Sequence, residues 1–233
     1  MKRDLLAALI AARQENETVV LVRGLNTGSQ FMVTPKKSTG DIDNIDPTLR
    51  DAARAALDKE GAQTVETIQD TYLLQTLAAS PRIIIIGAVH IAQALIPMAK
   101  TAGYDIYLID PRTAFANPQR FPGIDVDNRW PHEAIEDLKL DIRTAVVTLS
   151  HDPKIDEPAL CAAMNSDAFY IGALGSKGNH KKRLERLAEL GYDNEQLARI
   201  NGPIGLPLGG RSPAEIAVAT LAQIIQARHR GTR

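Results

Sequence analysis

The sequence has 233 residues, of which 44% are hydrophobic and 24% charged, and its 27 lysines and arginines nearly balance its 28 aspartates and glutamates. This composition predicts a folded globular chain and excludes collagen-like and disordered proteins. A net charge of -1, with basic residues scattered along the chain, predicts no nucleic-acid partner.

The single cysteine, Cys161, excludes an internal disulfide and a cysteine-based zinc site, which favours a reducing compartment. No apolar run approaches the roughly eighteen residues of a membrane span, and residues 1–9 do not have the pattern of a signal peptide. We therefore expect a cytoplasmic protein without membrane insertion.

The first eighty residues alternate between helical and strand-like patterns. The expected elements are a helix over 4–14, strands over 18–23 and 30–34 joined by a glycine-containing turn, a helix from Leu49 to Gly61, and strands over 64–68 and 72–78. Ser80 and Pro81 interrupt the pattern. Residues 1–80 are therefore predicted to form a small α+β domain.

The hydrophobic pattern changes at Arg82. The residues from Ile83 to Ile86 are apolar at every position, as in a strand buried on both faces of a parallel sheet. Further strands are expected over 104–109, 144–149 and 168–171, alternating with helices over 91–102, 131–138, 156–165, 179–190 and 213–228. The predicted fold class is α/β, with a Rossmann-like, doubly wound parallel-sheet domain over 81–233.

The turn after the first of these strands holds Gly87, Ala88, Val89 and His90, where dinucleotide-binding folds carry a glycine-rich motif. Val89 replaces the middle glycine, which weakens the case for NAD. Asp110 follows the next strand, 23 residues after Gly87, where it could accept hydrogen bonds from the ribose of FAD or another nucleotide. Alternatively, Gly87 only permits close packing and Asp110 only begins a turn.

Two histidines are expected at the same edge of the parallel sheet. His90 lies at the start of the helix region after the first strand, just before the predicted helix 91–102, and His151, followed by Asp152, comes after the third strand. Open α/β sheets bind ligands at this edge, so both histidines are candidates to contact a ligand. A metal would need further ligands that the spacing does not define, and either histidine alone could be structural.

A glycine-rich loop from Gly172 to Gly178 follows the fourth strand and contains Gly175 and Ser176. Backbone N–H groups at a helix N-terminus can hold a phosphate, so this loop is a candidate anion site. An equally good interpretation is a simple turn, followed by a solvated basic helix face at residues 181–183. Cys161 lies in an apolar helical stretch and is interpreted as a core residue rather than a nucleophile.

Several of these segments together resemble the xanthine dehydrogenase accessory factor family. They are Ile86-Gly87-x-x-His90, Ile109-Asp110-x-Arg112, Leu149-Ser150-His151-Asp152, Tyr170-Ile171-Gly172-x-x-Gly175-Ser176, and Pro213-x-Glu215-Ile216. The resemblance runs from about Pro81 to Arg228 and rests on their joint occurrence in one order.

The resemblance implies a maturation factor for molybdenum hydroxylases of the xanthine dehydrogenase class, in a family that includes relatives encoded with carbon monoxide dehydrogenase. Such a protein would bind the molybdenum cofactor, assist its sulfuration or insertion, and contact a molybdoenzyme apoprotein and a sulfurtransferase, with a homodimer also possible. The expected cofactor-binding residues are Gly87, Ala88, Val89, His90, Asp110, Arg112, Ser150, Gly172, Gly175 and Ser176, and the candidate catalytic residues are His151 and Asp152.

Two other functions stay open. One is a nucleotide-dependent oxidoreductase or transferase in which His151 acts as acid or base. The other is a protein-interaction scaffold with a vestigial pocket. The distinguishing feature is whether the Gly87 and Gly172 loops open onto one cavity.

Overall fold

A computed structural model describes residues 2–41, 45–59, 61–115, 117 and 119–229. The chain divides into two compact units, Met1–Ser80 and Pro81–Arg233. Each unit has its own sheet and its own hydrophobic core, so each is described by itself.

The first unit is an antiparallel sheet of five strands in the order β3-β2-β1-β5-β4 with two helices. Its elements are α1 (Arg3–Gln14), β1 (Val19–Gly24), β2 (Gln30–Val33), β3 (Ser38–Gly40), α2 (Pro47–Ala55), β4 (Gly61–Glu66) and β5 (Thr71–Leu77). Alternate residues of β1 serve two cores: Val19 packs with Leu5 of α1, whereas Val20 packs with Leu49 of α2. The expected small α+β unit is confirmed.

The turn between β1 and β2 is fixed by a buried carboxylate. Asp70 accepts hydrogen bonds from the Asn26 amide at 3.0 Å, the Thr27 amide at 2.8 Å and the Thr27 hydroxyl at 2.6 Å. The hydrogen bond from the Thr27 hydroxyl, supported by the backbone amides, holds the pKa of Asp70 well below its ordinary value. This one side chain thus joins the turn between β1 and β2 to the residue that precedes β5.

The second unit is a six-stranded, entirely parallel sheet in the order β11-β10-β9-β6-β7-β8. Its strands are β6 (Arg82–Ile86), β7 (Asp105–Ile109), β8 (Val126–Asp127), β9 (Thr144–Thr148), β10 (Tyr170–Ala173) and β11 (Ile200–Asn201). Its helices are α3 (His90–Thr101), α4 (Pro131–Leu138), α5 (Pro153–Met164), α6 (Lys177–Glu189), α7 (Asn194–Ala198) and α8 (Pro213–Arg228).

This strand order is that of the doubly wound dinucleotide-binding folds. The order in which successive strands are added reverses between β6 and β9, and we call this place the reversal point. The predicted Rossmann-like architecture is therefore confirmed. In such sheets ligands bind beyond the carboxyl ends of the two strands that flank the reversal.

Burial of β6 on both faces explains its uninterrupted apolar run. Ile83 and Ile85 pack with Leu95 of α3 on one face, while Ile84 and Ile86 pack with helices α4 and α5 on the other. All four isoleucines are fully buried. Burial of apolar surface contributes about 25 cal/mol per Å², so each of these side chains stabilises the unit.

Candidate functional site

The carboxyl ends of β6 and β9 meet at the reversal point. The turn after β6 begins at Gly87, which has a φ of +112°, and a Cβ built on it would lie 2.8 Å from the Ser150 backbone nitrogen. Neither the conformation nor this close approach admits a side chain easily. The turns that carry His90 and His151 are therefore in direct backbone contact.

Asp110, at the end of β7, is completely buried and saturated by protein donors. Its Oδ2 accepts from the Ala88 amide at 2.7 Å and from Arg112 Nη2 at 2.8 Å, and its Oδ1 accepts from the Arg112 amide at 3.0 Å and Nε at 2.9 Å. Burial opposes ionisation, but these hydrogen bonds outweigh it and hold the pKa of Asp110 below its ordinary value.

The predicted ribose contact would thus require a hydroxyl to displace one of these donors. Instead, Asp110 ties the Gly87 turn to β7 through Ala88. The Arg112 guanidinium also stacks over the Phe115 ring, with its Cζ 4.4 Å from the ring centroid. Binding of a cofactor by Asp110, Arg112 or Ala88 stays a prediction.

Helix α3 begins one residue earlier than expected. His90 is its first residue and is exposed, while Val89 is the N-cap and packs against the core beneath α3. A branched, partly buried side chain therefore occupies the position at which a dinucleotide site has its middle glycine. His90 lies at the predicted edge of the sheet.

The turn after β9 is held by hydrogen bonds to its own helix. Asp152 caps α5 by accepting from the Lys154 amide at 2.9 Å. His151 is exposed and has a φ of +63°, a left-handed conformation that is uncommon outside glycine. The structure therefore brings His151 to the reversal point, whereas Asp152 already serves as a helix cap.

Asp156, on the first turn of α5, is a buried carboxylate facing the same turn. Its Oδ1 accepts from the Ser150 hydroxyl at 2.6 Å and the Ser150 amide at 3.2 Å, while its Oδ2 has no hydrogen-bond partner among the described residues. Burial raises the pKa of Asp156. Ser150, expected to contact a cofactor, thus has its hydroxyl directed to this carboxylate.

The glycines of the loop after β10 have distinct local roles. A Cβ on Gly172 would lie 2.7 Å from Ile204 Cδ1 and from Tyr170 Cε1, so this glycine allows close packing. Gly175 has a φ of +146°, and the Ser176 hydroxyl caps α6 by accepting from the Asn179 amide at 3.2 Å. Phosphate binding by these loop residues stays a prediction.

A cavity of about 230 Å³ lies between the start of α5 and the face of α6. Its polar lining consists of His151, Asn179, Lys182, Arg183 and Arg186. Neither Gly87 nor Gly172 lines it, so among the described residues this cavity does not join the two glycine loops.

Arg183 was not among the predicted site residues, because the three consecutive basic residues 181–183 fit a solvated helix face. That interpretation is wrong for Arg183, which is 7% exposed. The missed signal is the helical spacing of 179, 182, 183 and 186, which places four polar side chains on one face of α6.

Neither a membrane-spanning helix nor a cluster of metal-ligating side chains is found within residues 2–41, 45–59, 61–115, 117 and 119–229. No helix there combines the length and apolar character needed to cross a membrane. No group of three or more histidine, cysteine, aspartate or glutamate side chains in those ranges is arranged to hold a metal ion.

Comparison with known proteins agrees with this architecture. The chain is 34% identical over 147 residues to the molybdenum cofactor insertion chaperone PaoD of Escherichia coli K12, covering 63% of this chain and 40% of that protein. It is 27% identical over 158 residues to a probable xanthine dehydrogenase subunit of Bacillus subtilis 168, covering 67% and 46% of the two chains. The chain thus spans less than half the length of these curated relatives.

A crystal structure described as a xanthine dehydrogenase from Bacillus halodurans superposes with a TM-score of 0.69 at 21% identity, over 98% of this chain and 64% of that one. This likeness concerns the fold alone. Residues 83–224 match the family described as the XdhC Rossmann domain. This match covers more than half of the sequence, and with it the chain belongs to the xanthine dehydrogenase accessory factor family.

Proposed function

We propose that this protein is a maturation factor that binds the molybdenum cofactor and assists its sulfuration or insertion into a molybdenum hydroxylase. The observation that carries the proposal is the direct contact of the Gly87 and Ser150 turns at the reversal point of the sheet. That contact brings the turns of His90 and His151 together where this fold class receives ligands. The named function of the relative PaoD supports the same conclusion.

The chemistry of the site suits an anionic cargo. Molybdopterin carries a phosphate, and the cavity beside His151 is lined by Lys182, Arg183 and Arg186. No acidic side chain is among the described residues that line this cavity. The protein's own residues would hold and shield the cargo, and chemical turnover is not required of them.

Sulfur, where the client enzyme needs it, would come from a separate sulfurtransferase in the cytoplasm. The only cysteine of the sequence, Cys161, is partly buried and packs against the core between α5 and α6. A thiol in such a position is poorly placed to accept and pass on a sulfur atom.

Nucleotide-dependent catalysis receives less support from the same residues. The Asp110 carboxylate is saturated by Ala88 and Arg112, and Val89 replaces the glycine that would admit a pyrophosphate. We therefore include FAD in the experiment below as the competing ligand.

The test is thermal unfolding of the full chain with isolated molybdenum cofactor or with FAD. A ligand at one hundred times its Kd should add about 2.7 kcal/mol to the free energy of unfolding. We expect stabilisation by the cofactor, its loss in His151→Ala, and its retention in His132→Ala, which removes an exposed histidine from α4. Stabilisation by FAD alone, or equal effects of the two substitutions, would refute the proposal.

A further inference from the structure

The cavity between α5 and α6 contains a buried cation whose hydrogen bonding is incomplete. Arg183 Nη2 donates to the Leu174 carbonyl at 2.8 Å, but Nη1 is buried and has no hydrogen-bond partner among the described residues. A buried charged donor without an acceptor is costly, since it has lost its water and gained nothing in exchange. This incomplete hydrogen bonding indicates that an acceptor is missing.

No described protein acceptor is hydrogen-bonded to Arg183 Nη1. Asp156 interacts electrostatically with the guanidinium and its Oδ2 is buried without a hydrogen-bond partner, but no hydrogen bond joins this carboxylate to Arg183. Glu157 is held by Arg186, whose Nε lies 2.8 Å from Glu157 Oε1. Arg183 Nη1 thus has no hydrogen-bonded acceptor among the described residues, and the exposed Lys182 lines the same cavity.

Gly175 lies beside the guanidinium. A Cβ on Gly175 would lie 3.7 Å from Arg183 Nη2 and 3.9 Å from Nη1, in ordinary van der Waals contact, so this glycine leaves only the place of one methyl group unfilled beside the two nitrogens. Asn179, on the first turn of α6, also lines the cavity, and the start of a helix favours negative charge.

The size of the cavity limits what it can take. About 230 Å³ is less than the roughly 300–1,000 Å³ of sites that enclose a whole small-molecule ligand. It is suited to one charged end of a larger molecule. Two cationic side chains, Lys182 and the forked guanidinium of Arg183, match an oxyanion of about two negative charges.

We propose that this cavity is an oxyanion site that receives the phosphate-monoester end of the cargo, with Arg183, Lys182 and Asn179 as the binding residues. The identity of the cargo rests on the proposed function, whereas oxyanion binding rests only on the cavity. His151 lines the same cavity and connects this phosphate end to the reversal point of the sheet.

The probe is inorganic phosphate, titrated into the full chain by calorimetry at constant ionic strength, with acetate as a singly charged comparison. We expect saturable binding of phosphate and much weaker binding of acetate. Lys182→Ala should raise the phosphate Kd about tenfold, which corresponds to about 1.4 kcal/mol. Lys181→Ala is the matched control, because this exposed neighbour does not line the cavity, and its Kd should stay within about twofold.

Arg183→Lys tests the buried guanidinium group by replacing it with a single amine, and it should weaken phosphate binding more than Lys182→Ala. Because a buried substitution can impair folding, the exposed pair Lys181 and Lys182 decides the outcome. Equal phosphate affinities of Lys181→Ala and Lys182→Ala, or no saturable binding to the parent protein, would overturn the inference.

Molybdenum cofactor titrations then separate the two proposals. Weakening of cofactor binding by Lys182→Ala supports the assignment of the phosphate end. Unchanged cofactor binding in that variant overturns the assignment while the proposed function stands. Binding of phosphate by a protein that does not bind the cofactor overturns the proposed function and leaves the oxyanion site in place.

Discussion

The Ser150 hydroxyl donates a 2.6 Å hydrogen bond to the buried Oδ1 of Asp156, which joins the end of β9 to the first turn of α5. The other oxygen of this carboxylate has no partner among the described residues. Asp156 therefore orders the turn that carries His151, but its ionised form is poorly accommodated.

Asp156→Asn should stabilise the protein at neutral pH. Burial raises the pKa of Asp156, so the unfolded chain ionises first as pH rises through about 3.9, and the folded chain carries a penalty that is complete above its own raised pKa. The amide oxygen can still accept from Ser150. We expect a higher Tm at pH 7, by about 2–4 °C for each kcal/mol gained.

The advantage of this variant should disappear below the pKa of the unfolded carboxyl, where both forms of Asp156 are protonated. Asp167→Asn, at an exposed position, is the control and should leave Tm unchanged at both pH values. A lower Tm for Asp156→Asn at pH 7 would show that the charge itself is needed for folding.

Gly87→Ala should destabilise the second unit by about 2–4 kcal/mol, because the new Cβ meets the Ser150 backbone in addition to requiring an unfavourable φ. Gly191→Ala provides the comparison, since Gly191 has a φ of +96° but no atom within 4 Å of a built Cβ. The difference between the unfolding free energies of the two variants, measured with denaturant, gives the cost of the contact between the new methyl group and the Ser150 backbone. Equal losses of stability would mean that the Gly87 turn moves to admit the methyl group.

Arg112→Ala should cost about 2–3 kcal/mol at neutral pH, because it removes two charge-assisted hydrogen bonds from a buried carboxylate. Asp110 has a lowered pKa, so its ionised form stabilises the fold above about 3.9, and this contribution is lost as pH falls through the lowered value. Without Arg112, acid unfolding should begin at a higher pH, as followed by circular dichroism.

Arg129→Ala is the matched control for this prediction. Arg129 also pairs with an aspartate two residues earlier, Asp127, but that ion pair is exposed. Exposed ion pairs contribute little, so the acid transition should move only slightly. Similar shifts in the two variants would contradict a special role for burial of Asp110.

Asp70→Ala should loosen the turn between β1 and β2 in the first unit. The amides of Asn26 and Thr27 lose their acceptor, so their hydrogen exchange should accelerate while exchange in β6 is unchanged. Because the pKa of Asp70 is lowered, the parent protein should lose this protection as pH falls through that value. Asp51→Ala, on the exposed side of α2, is the control, and it should leave the hydrogen exchange of these amides unchanged.

The parallel sheet is predictable from the sequence because residues 83–86 of β6 are isoleucine at every position. Strands β8 and β11 were not predicted, since two-residue strands are too short to show any periodicity. Helix α6 begins at Lys177, two residues before the predicted start, because Ser176 caps it. Local sequence patterns thus identify the long helices and strands and miss short strands that form only by pairing with an adjacent strand.

The candidate site is less predictable than the fold. Spacing brings His90 and His151 to one edge of the sheet, because parallel strands all end there. It does not reveal that the acceptor positions of Asp110 are filled by Arg112 and Ala88, since that depends on side-chain orientation. Nor does charge alone separate buried Arg183 from exposed Lys182.

The left-handed backbone of His151 sets stability against function at a single position. A histidine in this conformation costs about 1–2 kcal/mol relative to glycine, so His151→Gly relieves strain while removing a side chain from the cavity between α5 and α6. Laboratory selection for heat resistance alone would favour that replacement. Under the proposed function, selection for cofactor delivery would restore the imidazole, so the residue recovered at this position would report which property was selected.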